Sequence, residues 1–345
     1  MSIVLPDGHV LETIGPFYSD GHNNDAGMTS KILKEEGYGV LDWLKSSPNQ
    51  VMVVDRGFRN VIDELQSMGI TAQMPSIDVK GSKQPSTESA NKSRLVTKVR
   101  WVVEAYQKIK FFENRQPTAH LVVLKQCLRS TTAALNAFRP PIYDTNSDRE
   151  RHQKMATKML SLSSSNENRL SIEVASGPLS SRGKKWEEKE ADEVDFLDSN
   201  LASHFQGFPR LSEEKIEEEI TFGTYQLKQA QHYTDEHMEA SGKFELFLHQ
   251  ANPGLIRGRL QSRHKSSTKY FLWVQYANNL VNGWYCQCKA GMRTLGCCAH
   301  VATIIWFLGY GRYQGYKPSK SLMKSWKKVI DADGQPDSDE ESSDD

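Results

Sequence analysis

The chain has 345 residues, of which 38% are hydrophobic and 25% charged, and its 43 Lys and Arg balance its 43 Asp and Glu. This length is sufficient for two domains with separate cores, and the zero net charge excludes a uniformly basic or acidic protein. The sequence has no run of about twenty apolar residues and no signal-peptide pattern at its start. Its five cysteines are mostly clustered and leave no disulfide framework. We therefore expect a soluble intracellular protein, nuclear or otherwise cytoplasmic.

Residues 1–141 alternate short apolar runs with helical patterns, which is typical of an α/β domain. The apolar runs predict strands at 2–5 and 9–14, on either side of a Pro-Asp-Gly turn, and further strands at 51–54 and near residue 70. Helical patterns predict helices at 25–36, 58–68, 87–112 and 121–138. The helix at 87–112 is basic, because residues 80–115 contain nine Lys or Arg against three Glu.

Two carboxylates in this part of the chain stand at informative positions. Asp55 follows an apolar strand, where an α/β sheet ordinarily carries catalytic groups. Glu104 lies in the predicted basic helix, four residues from both Arg100 and Lys108. Simpler interpretations remain open, in which Asp55 caps the following helix and Glu104 forms ion pairs along its own helix.

Four segments of this region together resemble the DDE superfamily endonuclease domain of Harbinger-type transposases. They are VVDRGFRNV at 53–61, MPS at 74–76, ANKSRLVTKVRWVVEAYQKIK at 90–110 and NAFRPP at 136–141. The resemblance covers residues 1–141 and implies an RNase H-like fold. In that family two aspartates and a glutamate hold two divalent ions, Mg²⁺ or Mn²⁺, for phosphodiester cleavage. By motif, Asp55 corresponds to the second aspartate and Glu104 to the glutamate, whereas Asp20 and Asp25 correspond to a turn and a helix cap.

The first catalytic aspartate of that family has no counterpart, because the chain starts inside the strand that follows the aspartate-bearing one. Two divalent ions carry four positive charges, and Asp55 with Glu104 offsets only two of them. We therefore expect a truncated RNase H-like α/β domain, without its first strand, that is derived from a transposase and inactive as a nuclease alone. The alternative is an active metal-dependent transposase or endonuclease.

The rest of the chain divides into three predicted parts. Residues 142–204 are rich in Ser, Asn, Lys and Glu, which predicts a polar, partly helical linker. Residues 205–328 form a predicted small α+β domain with a helix at 220–238, strands at 243–250, 255–263, 271–276 and 283–288, and a helix at 298–308. Residues 329–345 are acidic, which predicts a disordered tail.

The C-terminal domain carries Cys286, Cys288, Cys298 and His300 in a C-x-C-x9-C-x-H pattern. The first two side chains share one face of a predicted strand, because alternate strand residues point the same way. The other two lie in the first turn of a predicted helix. Three thiolates and one imidazole complete a tetrahedral zinc site, which leaves no position for water and is therefore structural. Two alternatives remain open: Cys297 replaces Cys298 as ligand, or the cysteines are a reduced buried cluster.

This pattern of strands, ligand loop and helix resembles the SWIM-type zinc finger, whose four ligand positions correspond to these residues. The resemblance implies contacts with DNA or with protein. Cations interleaved with aromatic residues can also meet phosphates, although an ordinary solvated surface is the simpler interpretation. The candidate phosphate-binding cations are Lys92, Arg94, Lys98, Arg100, Lys108, Lys110, Arg312, Lys317 and Lys320. We expect a zinc-binding, nucleic-acid-associated protein with DNA as partner; RNA is an alternative partner and a protein-interaction adaptor an alternative function, and no membrane is involved.

Overall fold

The computed structural model describes residues 1–5, 7–17, 23–35, 39–46, 49–77, 81–100, 117–139, 149–177, 179, 186–192, 205, 207–241, 243–262 and 267–314. The chain forms two compact units. Unit 1 comprises Met1–Ile77 and Lys92–Gln153, and unit 2 comprises Asp78–Asn91 and Lys154–Asp345. The domain boundaries predicted at 141 and 205 stay a prediction. Unit 2 also takes in a short segment from the first third of the chain. Among the described helices, none is long and apolar enough to cross a bilayer.

Unit 1 contains two small sheets in the residues that the structure describes. Strand β1 (Ser2–Val4) pairs antiparallel with β2 (Val10–Thr13), and β3 (Val51–Val53) pairs parallel with β4 (Thr71–Gln73). The connection from β3 to β4 runs through a 3₁₀ helix (Arg56–Val61) and helix α3 (Ile62–Ser67), as a parallel pair requires. These elements agree with the predicted alternation of strands and helices; the RNase H-like assignment stays a prediction.

The core of unit 1 lies between its helices and these strands. Helix α1 (Asp25–Lys34) begins where the Asn24 side chain accepts a hydrogen bond from the Gly27 amide, and helix α2 (Val40–Ser46) follows it. Side chains spaced three or four residues apart on α1 face this core. The buried apolar residues of the core are Ile14, Ala26, Ile32, Leu33, Val40, Val61, Leu65 and Ile70.

Two longer helices complete the description of the first half of the chain. Helix α4 (Thr87–Arg100) is the described part of the predicted basic helix, and α5 (Leu121–Phe138) has the predicted bounds. Asn136 on α5 accepts a hydrogen bond from the Val10 amide and donates one to the Val10 carbonyl, both at 2.9 Å. The asparagine of the NAFRPP segment therefore fixes α5 to strand β2.

Unit 2 is built on a five-stranded antiparallel sheet with the order β5-β6-β7-β8-β9. The strands are β5 (Trp186–Asp192), β6 (Lys243–His249), β7 (Asn252–Gln261), β8 (Lys269–Ala277) and β9 (Leu280–Cys286). Strand β5 lies within the segment predicted to be a linker, as do helices α6 (Arg149–Ser163) and α7 (Arg169–Ala175). Its sequence, WEEKEAD, is mostly charged, which is common at a sheet edge and conceals a strand in a composition-based prediction.

Both faces of this sheet are covered. Successive side chains of a strand point to opposite faces of the sheet. Leu272 and Trp273, for example, are neighbours on β8 but belong to two different buried hydrophobic clusters, one on each face. One face packs on the elements α8 (Glu213–Ile216), a π-helix (Glu217–Thr221), α9 (Thr224–Ser241) and α10 (Ala299–Gly309). The other face contacts α7 through Leu170. Helix α10 is buried from His300 to Gly309, so it is the central helix of the unit.

Candidate metal centre

The four predicted ligands lie together in unit 2. Cys286 is the last residue of β9, Cys288 precedes a 3₁₀ turn (Lys289–Met292), and Cys298 and His300 lie at the start of α10. All four are buried, and their ligand atoms lie within 4.8 Å of one another. Cys286 Sγ and His300 Nδ1 are 4.0 Å apart. Two sulfurs of a tetrahedral zinc site are about 3.8 Å apart, so this group could hold a metal ion with small adjustments.

The local backbone explains why the side chains converge. Cys286 faces the α10 side of the sheet, and its Sγ accepts a hydrogen bond from the Cys288 amide at 3.5 Å. The carbonyl of Cys288 accepts a hydrogen bond from the Gly291 amide, which closes the turn. Cys298 is the N-cap residue of α10, where the partial positive charge of a helix N-terminus favours a thiolate. A strand end and a helix start therefore present two ligands each.

Cys297 is excluded from this group although it adjoins Cys298 in sequence. Its side chain is 1% exposed and lies in the same buried cluster of unit 2 as Cys286, Cys288 and Cys298, so burial does not distinguish it from them. The group of possible metal ligands contains Cys298 instead. The geometry therefore favours the C-x-H pair of the predicted pattern over the Cys297 alternative.

The electrostatics of the cluster depend on burial and on shared protons. Burial raises the pKa of the Cys286 thiol well above its ordinary value, and its hydrogen bonds to Cys288 and Cys298 raise it further. Burial opposes ionisation of Cys298, but hydrogen bonds from the other two thiols and from His300 bring its pKa well below the ordinary value. Burial, with the charges of Cys286 and Cys288, raises the pKa of Tyr285 to about 12. Because a metal displaces thiol protons, its affinity for this group increases with pH.

A buried arginine lies beside the ligands, and sequence reasoning did not select it. Arg293 is 2% exposed, and its guanidinium donates a hydrogen bond to the Cys297 carbonyl at 2.5 Å. The hydrogen bond with Cys286 lowers the pKa of Cys288, but the hydrogen bond with Cys298 and burial raise it well above its ordinary value; the positive charge of Arg293 partly offsets this rise. Three thiolates and a divalent ion together carry one negative charge, which the guanidinium balances. If the group holds a divalent ion, the guanidinium and the loaded centre would therefore stabilise one another.

We expect Arg293→Gln to weaken metal binding by about 10-fold to 100-fold, because the remaining centre keeps an unbalanced charge. Arg293→Lys restores the charge and should recover part of the affinity. Competition against a chromophoric chelator measures both constants. Equal affinities for the glutamine variant and the unmodified chain would contradict this role.

Asparagine and tryptophan side chains hold the loop that joins the two ligand pairs. Asn168, at the start of α7, donates hydrogen bonds to the carbonyls of Trp284 and Met292 at 2.9 Å and 3.4 Å. The indole of Trp284 donates to the Gly296 carbonyl at 3.0 Å. The loop is therefore held at Met292 and at Gly296, in part by a residue of the segment predicted to be a linker.

The carboxylates predicted from the nuclease resemblance are placed only in part. Asp55 follows β3, and its side chain accepts a hydrogen bond from the Gly57 amide at 2.8 Å, which caps the 3₁₀ helix. Glu104 and Asp20 lie outside the described residues. The carboxylates of Asp25 and Asp55 both lie beside Gly57. A Cβ atom added to Gly57 would be 2.8 Å from an oxygen of Asp25 and 3.0 Å from an oxygen of Asp55. Burial, and then the charge of Asp55, raises the pKa of Asp25.

The predicted phosphate-binding cations have different environments. On α4, Lys92 is exposed and Lys98 half-buried, whereas Arg94 is only 5% exposed; Arg100 ends the described part of this helix. Arg312 donates a hydrogen bond to the Tyr313 hydroxyl at 2.7 Å and packs on that ring. The remaining cations lie outside the described residues: Lys108, Lys110, Lys317 and Lys320. Lys92 therefore has the exposure that a phosphate contact requires, and Arg94 does not.

Binding to duplex DNA, if it uses these cations, should weaken steeply with salt, with a slope of about 0.9 for each phosphate neutralised. Lys92→Gln should lower that slope by about one. Lys31→Gln, which removes an exposed lysine outside the predicted basic region, is the matched control. Fluorescence anisotropy at several salt concentrations gives the slopes, and a flat response would exclude a phosphate-binding role.

Comparison with known proteins finds no match for the chain. No protein-family model, curated protein or solved structure matches the chain. The case for any function therefore depends on the residues themselves and on the geometry of the metal centre.

Proposed function

We propose that Cys286, Cys288, Cys298 and His300 bind one zinc ion as a structural centre of unit 2. The observation that supports this most directly is the convergence of three buried sulfurs and one imidazole nitrogen within 4.8 Å. Zinc is the divalent ion that thiolate and imidazole ligands of this number prefer. Four protein ligands complete its tetrahedral coordination, so no site remains for an activated water.

The role that follows is to connect the edge of the sheet to the central helix. Cys286 ends β9, and His300 begins the buried stretch of α10, so a bound ion joins the two main layers of unit 2. In small zinc-binding domains the metal contributes about 10 to 16 kcal/mol, which is comparable to the stability of a whole domain. Unit 2 should therefore depend on the ion for its fold.

Metal analysis of the full chain tests this proposal. Protein purified without chelator should contain one zinc ion per chain, measured by inductively coupled plasma mass spectrometry. Removal of the metal at neutral pH should lower the melting temperature and change the near-ultraviolet circular dichroism of the tryptophans in unit 2; added zinc should restore both. A chain that keeps the same spectrum and melting temperature without metal would refute a structural centre.

Nucleic-acid association is the wider function that we propose with this centre. The C-x-C-x9-C-x-H pattern supports it through the resemblance to SWIM-type fingers, and the exposed Lys92 supports it in unit 1. Asp55 caps a helix, which supports a structural role for this carboxylate. The origin of unit 1 from a nuclease is supported by the sequence resemblance alone. The salt titration described above separates this function from a protein-interaction adaptor, for which DNA binding should be absent.

A further inference from the structure

A glutamine far upstream in the sequence contacts the first ligand pair. The amide nitrogen of Gln84 donates hydrogen bonds to the carbonyls of Cys286 and Cys288, at 2.8 Å and 2.5 Å, across separations of 202 and 204 residues. Its amide oxygen accepts a hydrogen bond from the Tyr285 hydroxyl at 2.9 Å. One side chain thus uses both ends of its amide on three of the four positions from 285 to 288, and two of these three residues are predicted ligands.

An asparagine seven residues later contacts the loop segment that precedes the second ligand pair, Cys298 and His300. The side-chain oxygen of Asn91 accepts hydrogen bonds from the amides of Thr294 and Leu295, both at 2.9 Å. Its nitrogen donates to the Thr294 hydroxyl at 2.9 Å and to the carbonyls of Leu162 and Ser165 at 3.3 Å and 3.1 Å. Asn91 is fully buried, so these bonds satisfy both ends of its amide without water.

The two contacts act on the backbone that aims the ligands. A carbonyl held by a fixed donor holds its peptide plane, and the peptide plane sets the direction of the adjacent Cα–Cβ bond. Gln84 does this for Cys286 and Cys288, while Asn91 holds the loop three residues before Cys298. Sequence-distant partners that orient metal ligands commonly change metal affinity when they are replaced.

We propose that Gln84 and Asn91 are positioning residues of the metal centre, which is thus assembled from two separate parts of the chain, residues 81–91 and 286–300. This inference rests on the proposed metal-binding function. Its consequence is that metal binding and the docking of residues 81–91 within unit 2 reinforce each other. Metal release then loosens this segment, and loss of the segment weakens metal binding.

Affinity measurements on the full chain test the proposal, with Co²⁺ and Zn²⁺ as probes. Gln84→Ala and Asn91→Ala should each lower the affinity by about 10-fold to 100-fold in chelator competition. Gln84→Glu keeps the shape of the side chain but replaces the amide donor that faces two carbonyls with a carboxylate oxygen, which can only accept. Its loss of metal affinity should therefore be at least as large as that of Gln84→Ala. Lys83→Ala and Glu88→Ala, which change exposed neighbours, should leave the affinity unchanged.

Two further measurements separate positioning from a general effect on folding. The visible absorption of bound Co²⁺, which reports ligand geometry, should change in Gln84→Ala and Asn91→Ala but not in the Lys83→Ala and Glu88→Ala controls. Hydrogen exchange at Thr294 and Leu295 should be slow in the metal-loaded chain and faster both in Asn91→Ala and after metal removal.

The outcomes are distinct. If the unmodified chain binds metal and the glutamine and asparagine variants bind it with the same affinity and spectrum, this inference is wrong and the metal centre stands. Equal destabilisation of the metal-free and metal-loaded forms, with unchanged affinity, would also overturn it. An unmodified chain that binds neither ion would refute the proposed metal centre and this inference together.

Discussion

Cys298→Ser is expected to reduce zinc affinity by roughly 100-fold to 1,000-fold, because one of four ligands contributes about a quarter of 10 to 16 kcal/mol. Cys297→Ser should retain one zinc ion per chain, since that side chain lies outside the ligand group. Both variants change one buried sulfur to oxygen at adjacent positions, so each is the matched control of the other.

Zinc content after dialysis and competition with a chelator measure the difference between the two serine variants. Cys297→Ser should still lose some stability, because a hydroxyl replaces a buried thiol in the core. An equal loss of zinc in both variants would mean that the ligand assignment at Cys298 is wrong. Loss confined to Cys297→Ser would instead assign Cys297 as the third sulfur ligand.

Gly291→Ala should destabilise unit 2 by about 3 kcal/mol or more and weaken metal binding with it. An added Cβ at Gly291 would lie 2.0 Å from the Cys286 carbonyl oxygen and 2.7 Å from the Cys286 Cβ. The backbone of a ligand residue cannot yield by that amount without moving its sulfur. The close approach therefore requires glycine in the turn between the ligand pairs.

Gly283→Ala is the control for Gly291→Ala. It adds the same methyl group in strand β9, but its nearest neighbour, a methyl of Leu170, is 3.4 Å away, which is ordinary contact. Urea unfolding of metal-loaded chains should therefore show a much lower midpoint for Gly291→Ala than for Gly283→Ala. Equal midpoints would show that the turn rearranges at little energetic cost.

The metal ligands could be predicted from the sequence because their geometry is local. Cys298 and His300 lie at the start of α10, as predicted. Strand β9 ends at Cys286, however, so Cys288 lies in the following turn and the prediction that both residues share a strand face was wrong. The short spacing from Cys286 to His300 still brings all four side chains together. The helix at Ala299–Gly309 and the four strands from Lys243 onward follow from strong apolar periodicity in the same way.

The remaining parts of the metal centre could not be predicted because they depend on tertiary contacts. Nothing in the sequence around Gln84 or Asn91 indicates that they bond to residues about 200 positions away. Strand β5 was concealed by its charged composition, since pairing at an edge, rather than hydrophobicity, makes it a strand. Composition was also misleading at Arg94. This cation lies on a helix predicted to be basic and exposed, but its side chain is buried.

The long separation between Gln84 and its ligand-strand partners also sets an order of events during protein synthesis. The glutamine leaves the ribosome 204 residues before Cys288, the farther of its two carbonyl partners. At a translation rate of about 5 to 20 residues per second, the strand and turn that Gln84 contacts are synthesised roughly 10 to 40 seconds after residues 81–91. Unit 1 has Met1–Ile77 and Lys92–Gln153 available well before that time. Unit 1 can therefore fold on the nascent chain before the four candidate metal ligands of unit 2 have been synthesised.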